Sequence, residues 1–299
     1  MKKERNAEQS GGLLNWSDLK LVSGKFIYWS MFTILMLISL ICLIPVVWMF
    51  ISGFKTPEEL YAVPPKLFPS HFDFNQLIDI WTVSHIDKYI FNTLWIIIGC
   101  LIFDIFFNGI AGYALSRIKP KGSKFVETAL FWTMMLPGIS MVPLYMTFVK
   151  LPVLNISLMG TFLPMWIMSA TGTFHIFLFR NFFNGIPKDY IEAARIDGAT
   201  NIKIFFSIMI PLAAPIITVV TIFSVIGSWS NFFWPYLILG NTDREPLSVM
   251  LYNLTSGRYN FLANQEMLIM MIAAIPPIVI YAIFSKKILG GVNIGGIKG

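Results

Sequence analysis

The chain has 299 residues, of which 56% are hydrophobic and only 13% charged, with a formal net charge of +6. A water-soluble domain carries about 25% charged residues, so this composition excludes one and points to a protein that crosses a membrane several times. The two cysteines, Cys42 and Cys100, both fall inside apolar runs, which speaks against a disulfide framework or a thiolate metal site.

Residues 1–25 open with the polar string MKKERNAEQSGG and are expected to remain a cytoplasmic segment. The apolar run that follows is too long for the core of a cleaved leader, so it reads as a retained membrane helix. A span needs about 20 apolar residues. Six stretches qualify: Phe26–Ile51, Tyr89–Leu115, Phe125–Val149, Leu158–Phe179, Ile208–Leu239 and Met267–Phe284. The expected fold is therefore all-α, a polytopic bundle of six transmembrane helices filling 26–299. Pro137, Pro143, Pro164, Pro211, Pro215, Pro235, Pro276 and Pro277 fall inside these stretches. Such prolines are tolerated where neighbouring helices or a cavity satisfy the freed carbonyls, so kinked, packed helices are expected.

Basic residues orient the spans, because Lys and Arg accumulate on the cytoplasmic side. With the N-terminus inside, sixteen of the 22 fall on inner segments and six on outer ones. That predicts both termini in the cytoplasm and accounts for the positive charge without nucleic acid. The longest outer stretch, residues 55–88, begins with the proline-punctuated KTPEELYAVPPKLFP and continues as QLIDIWTVSHIDKYI, whose spacing predicts a short interfacial helix.

The polar stretch 187–201 lies between the fourth and fifth spans. Pro187 suits a first helical turn, and Asp189 and Glu192 favour the positive end of a helix dipole. Ala193, Ala194 and Arg195 are good helix formers. Gly198 is placed to terminate the helix, and Thr200 or Asn201 to cap the next one. The expectation is a short helix, a tight turn and a second helix running into the fifth span, with small residues allowing a partner to come close. Spacing alone weighs this evenly against an amphipathic connector lying on the membrane.

Polar residues within the spans are few. Asp104 is an intramembrane acid, a functional candidate by default, for which hydrogen bonding within the bundle is favoured because no mid-span base accompanies it. Asn108 on the same helix is placed to share that role, and His175 reads as a packed or interfacial histidine. In GSWSNFFWPY, residues Trp229, Asn231 and Phe232 are the candidates for a substrate pathway, against the plainer reading of an aromatic belt. The sequence has no P-loop, no cluster with metal-ligand spacing and no nucleophile–base set. No catalytic or metal residue is assigned, and the chain is not expected to be an enzyme.

The string DYIEAARIDGATNIKIFFSIMIPLAAP at 189–215 resembles the EAA motif of binding-protein-dependent ABC importer permeases; one departure is Ile210, where the family usually has Leu before the Pro. FKTPEEL, PPKLFPS, NTLW, GYALSR, LPGISMVPLY, GSWSNFFWPYLIL and the terminal GGIKG extend the resemblance over about 26–299, toward the second membrane subunit of maltose-type sugar importers. The resemblance implies a type I importer permease in the bacterial plasma membrane, serving a sugar, with oligosaccharides expected. It implies a heterodimer with a second permease subunit, two ATPase subunits that bind the ATP and Mg, and an extracytoplasmic substrate-binding protein. Asp189, Tyr190, Glu192, Ala193, Ala194, Arg195, Asp197 and Gly198 are then the ATPase-docking residues. A monosaccharide, polyol or glycerol-phosphate substrate stays open within the family. Outside it the rivals are a proton-coupled secondary transporter, which needs paired intramembrane titratable groups and often an inverted repeat, and a non-transporting assembly protein.

Overall fold

The computed structural model describes residues 22–64, 66–136 and 141–291, and among these every regular element is helical. The polar N-terminal string, the GGIKG tail and Pro137 lie outside the described residues. The chain divides into two compact units. One takes the described chain up to Gln76 together with Leu262–Met271; the other takes Leu77–Phe261 and the chain from Ile272 onward.

The first unit opens with helix α1, Val22–Gly53, apolar on all sides, with Pro45 inside it. Its side chains Leu35, Ile41 and Ile44 are exposed. A helix apolar all round belongs in lipid or against other helices. The following helix α2, Pro57–Leu60, is one turn long and is fixed by a capping box between Thr56 and Glu59. The Glu59 carboxylate also accepts from the Ser70 hydroxyl and, at 3.1 Å, from the Ser70 amide. The Ser70 hydroxyl is the main cause that pulls the Glu59 acid down to about 2. Beside it Lys55 is buried, its ammonium 3.8 Å from the centre of the Trp48 ring.

Helix α3, Asn75–Ser84, supplies the expected short helix. His85 then turns through positive φ, 50°, so IDKYI belongs to the next helix and not to this one. That helix, α4, runs Ile86–Ile118 and is one of three among the described residues long and apolar enough to cross a membrane; α1 and the helix opening at Ala263 are the others. Within α4 the hydrogen bonding widens to π-type turns at Asp104–Asn108 and Ala114–Ile118, a distortion often found at functional sites.

Of residues 125–149, the described ones form α5, Ser123–Met135, and α6, Met141–Val149, with 137–140 outside the described residues. The next two predicted spans are carried in pieces. The fourth is α7, Leu163–Ser169, and α8, Thr173–Gly185, interrupted at Ala170–Gly172. After the short helix α9, Asp189–Ile196, come α10, Asn201–Leu212, and α11, Ala214–Ser230, meeting at 78°. Pro211 sits in the last turn of α10 and Pro215 in the first turn of α11, on either side of that bend; Pro215 lacks an amide that a first turn leaves unbonded anyway, and Pro211 removes one near the end of α10. A second interruption at Asn231 and Phe232 precedes α12, Phe233–Leu239. Helix α13, Leu247–Thr255, and α14, Ala263–Gly291, with Pro276 and Pro277 inside it, complete the chain.

The second unit is built on α4. Gly112 lets α8 approach so closely that a Cβ there would sit 2.6 Å from the Phe179 Cβ and 2.9 Å from the Arg180 amide nitrogen. Small residues at such crossings let membrane helices pack backbone to backbone. One apolar core gathers Tyr113, Phe179, Phe183, Ile204, Phe205 and Met209. Another gathers Ile96, Cys100, Phe148, Met165, Ile238 and Leu239.

Candidate functional site

Two places within the second unit carry chemistry. The first is a cavity of about 220 Å³ bordered by Cys100 and Asp104 of α4, by Ser169, Gly172 and His175 around the break between α7 and α8, and by Phe223, Ser224, Ser228 and Asn231 at the end of α11. Both helix interruptions therefore open onto it. Irregular backbone at membrane depth is tolerated only where protein buries it or it lines a cavity, and both interruptions border this one.

Asp104 is almost fully buried on the π-turn of α4. Asn108 donates its amide to the Asp104 Oδ1 at 2.6 Å and to the Ser169 carbonyl at 2.8 Å. His175 Nδ1 lies 2.9 Å from Oδ1 and 2.8 Å from Oδ2 of the same carboxyl. The expectation that no mid-span base accompanies Asp104 is thus corrected: His175 reaches it across the interface between α4 and α8. The signal was present, since of the three histidines only His175 falls within an apolar stretch, and a buried acid needs a donor. Nothing in the spacing showed that residues 71 positions apart would meet.

The three pathway candidates separate. Asn231 borders the cavity, and its carbonyl accepts from the Ser248 hydroxyl at 2.8 Å. Phe232 instead packs among aromatics, its ring 4.6 Å from Tyr252 and 5.3 Å from Tyr236. Trp229 is not among the cavity's lining residues. The break at Asn231 and Phe232 turns the chain there, so neighbours in sequence face different surroundings.

The second place is the loop around α9. Asp189 and Glu192 occupy its first turn, and the helix ends through Gly198 at φ 75°. A Cβ on Gly198 would meet nothing within 4 Å, so this glycine serves the left-handed turn and not close packing. The Gly198 amide donates to the Arg195 carbonyl and the Ala199 amide to the Ala194 carbonyl. Thr200 then caps α10, its hydroxyl accepting from the Lys203 amide at 3.3 Å. Pro187 precedes the cap residue Lys188 and so stands before the first turn, not in it.

Of the eight docking candidates, Ala194 is corrected. It is buried with Ile191 in the core formed by Phe183, Ile204 and Phe205, so its small size seats α9 against its own chain. Asp189, Tyr190, Glu192, Ala193, Arg195, Asp197 and Gly198 are exposed. Two apolar residues that sequence reasoning passed over join them: Ile196 and Ile202 are 87% and 72% exposed. Their exposure was hidden because an Ile in a helical pattern reads as core.

Side chains from the neighbouring helices brace this loop. The Arg117 guanidinium donates to the carbonyls of Phe183 and Ile186, where α8 ends. Arg180 grips Glu127 on α5 through two bonds, 2.8 and 3.0 Å. A groove of about 230 Å³ beside α9 is bordered by Arg117, Lys119, Lys188 and Arg195 with Glu192.

Described residues that are helical in every regular element, with apolar membrane helices, a cavity at helix breaks that holds a buried Asp–His pair and a braced, exposed helix, make a multi-pass membrane transport subunit. Residues 105–290 match the family of binding-protein-dependent transport system inner membrane components, and the chain belongs to that family of transport permeases. It is 32% identical to the arabinooligosaccharides transport system permease protein AraQ of Bacillus subtilis (strain 168), the match covering 88% of this chain and 93% of that protein. It is 29% identical to the diacetylchitobiose uptake system permease protein NgcG of Streptomyces coelicolor, over 88% of this chain and 86% of that one. In fold it resembles a chain of a bacterial ABC transporter involved in import of the acidic polysaccharide alginate. There the TM-score is 0.78 at 22% identity, over 89% of this chain and 98% of the other.

Proposed function

We propose that this chain is one permease half of a type I ABC importer for oligosaccharides, with six spans and both termini in the cytoplasm. It pairs with a second permease subunit to enclose the path. Two ATPase subunits bind the ATP and Mg, and an extracytoplasmic binding protein delivers the sugar. Relatives named for arabinooligosaccharides and diacetylchitobiose support the substrate class. The third stretch and the interrupted fourth and fifth stretches each count as one span, in keeping with the basic residues that flank them.

The observation that carries the coupling role is the two-faced helix α9. Ile191 and Ala194 anchor one side in the core, while Tyr190 and Ile196, with Ile202 on the next helix, face outward. Exposed apolar residues in a polar rim mark interaction sites. The ATPase docks on that outward face, Glu192 and Arg195 fix its register, and closure of the ATPase dimer pushes α9 as a rigid lever on α8 and α10. Arg117 and the Arg180–Glu127 pair keep the lever stiff.

Co-purification of the tagged assembly tests this. Ala193→Trp adds bulk on the exposed face and leaves the inner face untouched. It is expected to lower the recovered ATPase at least tenfold while the permease stays in the membrane. Full ATPase recovery together with full transport would refute the docking assignment.

A further inference from the structure

The cavity at the helix breaks has a chemical character that bears on which sugars pass. We propose that it is a subsite for a single uncharged sugar residue, with Asp104 accepting from sugar hydroxyls and disfavouring sugars that carry carboxylates. The inference rests on the oligosaccharide reading above.

Three features point this way. The first is charge. Neither Lys nor Arg borders the cavity, whose ionisable oxygen and nitrogen groups are Asp104 and His175. A sugar carboxylate entering here would leave water and find a carboxyl beside it with neither Lys nor Arg to answer it, an unfavourable way to bury a charge.

The second feature is acceptor capacity. A carboxylate offers about four lone-pair sites, and Asn108 and His175 occupy only part of them. Those two donors also fix the plane of the group, so a pair of adjacent hydroxyls meets a pre-set acceptor. Ser224, Ser228 and Asn231 border the same space from α11 and supply further hydroxyl and amide partners. Phe223, 52% exposed, offers a ring face to the C–H side of a sugar.

The third feature is size. The cavity's volume of about 220 Å³ falls below the roughly 300–1,000 Å³ of a site that encloses a drug-sized ligand. It accommodates one ring or one chain end, with the rest of the glycan lying along the path.

The test uses the assembled transporter with its ATPases in detergent, and two probes: a neutral pentose trisaccharide and a trisaccharide ending in a uronic acid. Wild type is expected to bind the neutral probe at least tenfold more tightly. Asp104→Asn, which keeps the shape and replaces the carboxyl with an amide, is expected to bring that ratio below threefold, in part by strengthening the uronate. An unchanged ratio, or a wild-type preference for the uronate, would overturn the proposal. A second measurement leaves Asp104 in place. Gly227 borders the cavity and a Cβ there would meet nothing within 4 Å, while Cys100 is buried, so in a Cys42→Ser protein carrying Gly227→Cys the alkylation of the added thiol reports occupancy. The neutral probe should slow it severalfold and the uronate should not; equal protection, or none, contradicts the subsite. ATP-driven sugar uptake by the same assembly keeps the outcomes distinct. If uptake occurs and the probe results fail, only the subsite is wrong. If no sugar is taken up at all, the importer reading itself fails.

Discussion

Helices α1 and α4 are nearly equal in length, 32 and 33 residues, and both are apolar enough to span a membrane. Yet none of the most apolar window of α1 is buried within the chain, against 39% of that of α4. Helix α1 carries leucines and isoleucines outward on all sides. Helix α4 carries Asn92, Thr93, Asp104, Asn108 and Ser116 inward, every one buried. The contrast shows that apolarity places a helix in the membrane, while buried polar and small residues decide which helix organises the protein. Asp104 and Asn108 are tolerated in α4 because α8 brings His175, and the chain near Ser169 brings a carbonyl, to answer them.

Substitutions on the two helices should therefore differ sharply. The largest effect is expected for Gly112→Val. A Cβ at this position is already within 2.6 Å of Phe179, and overpacking a tight crossing costs typically 1–3 kcal/mol. Thermal unfolding of the purified protein should show a clear drop in midpoint. Wild-type stability would mean that α4 and α8 are not in close contact.

A smaller loss is expected for Asn92→Ala. The Asn92 amide donates to the carbonyls of Asp243 at 3.0 Å and Glu245 at 2.9 Å. Leaving buried acceptors unpaired costs about 1–3 kcal/mol. The same unfolding measurement checks it, and Asn92→Asp, which sets a carboxyl against two carbonyl oxygens, should lose at least as much as the alanine.

Next comes a pH effect in the loop after α1. Glu59 is held down to about 2, chiefly by the Ser70 hydroxyl, against about 4.3 for a free glutamate. A lowered folded-state pKa gives stabilisation that is complete above the free value and is lost as pH falls toward the folded one. Protease resistance of residues 56–70 should thus fall between about pH 4.3 and pH 2, while Glu59→Gln should be weakly resistant at all pH values. A loop equally resistant at pH 2 and pH 7 would contradict the capping arrangement. The smallest effect is expected for Leu35→Ala on α1. Its side chain is exposed, and such surface changes usually stay within about 0.5 kcal/mol; a large loss would show that α1 packs against a partner at Leu35.

The same contrast explains what could be read in advance. The helix–turn–helix at 189–204 was legible, because Gly198 and Thr200 act on their own neighbours: one turns the chain at positive φ and the other caps the next amide. The apolar stretches were legible for the same reason. The Asp104–His175 contact was not, because it depends on the register of two helices far apart in sequence. The inward turn of Ala194 was hidden as well, since an eight-residue helix does not reveal which side its own core will cover. The breaks at Ala170–Gly172 and at Asn231 and Phe232 were signalled only by Pro164, Gly172 and Pro235, which equally suit kinks.

The central claim is that this chain carries a path and a lever that ATPase partners drive. Its most direct test is sugar accumulation in sealed vesicles. The chain alone, and the chain with its permease partner, should accumulate no oligosaccharide with or without a proton gradient. Adding the ATPases, ATP and the binding protein should give uptake that persists when the gradient is collapsed. Accumulation by the chain alone, driven by a proton gradient through the Asp104–His175 pair, would contradict the account.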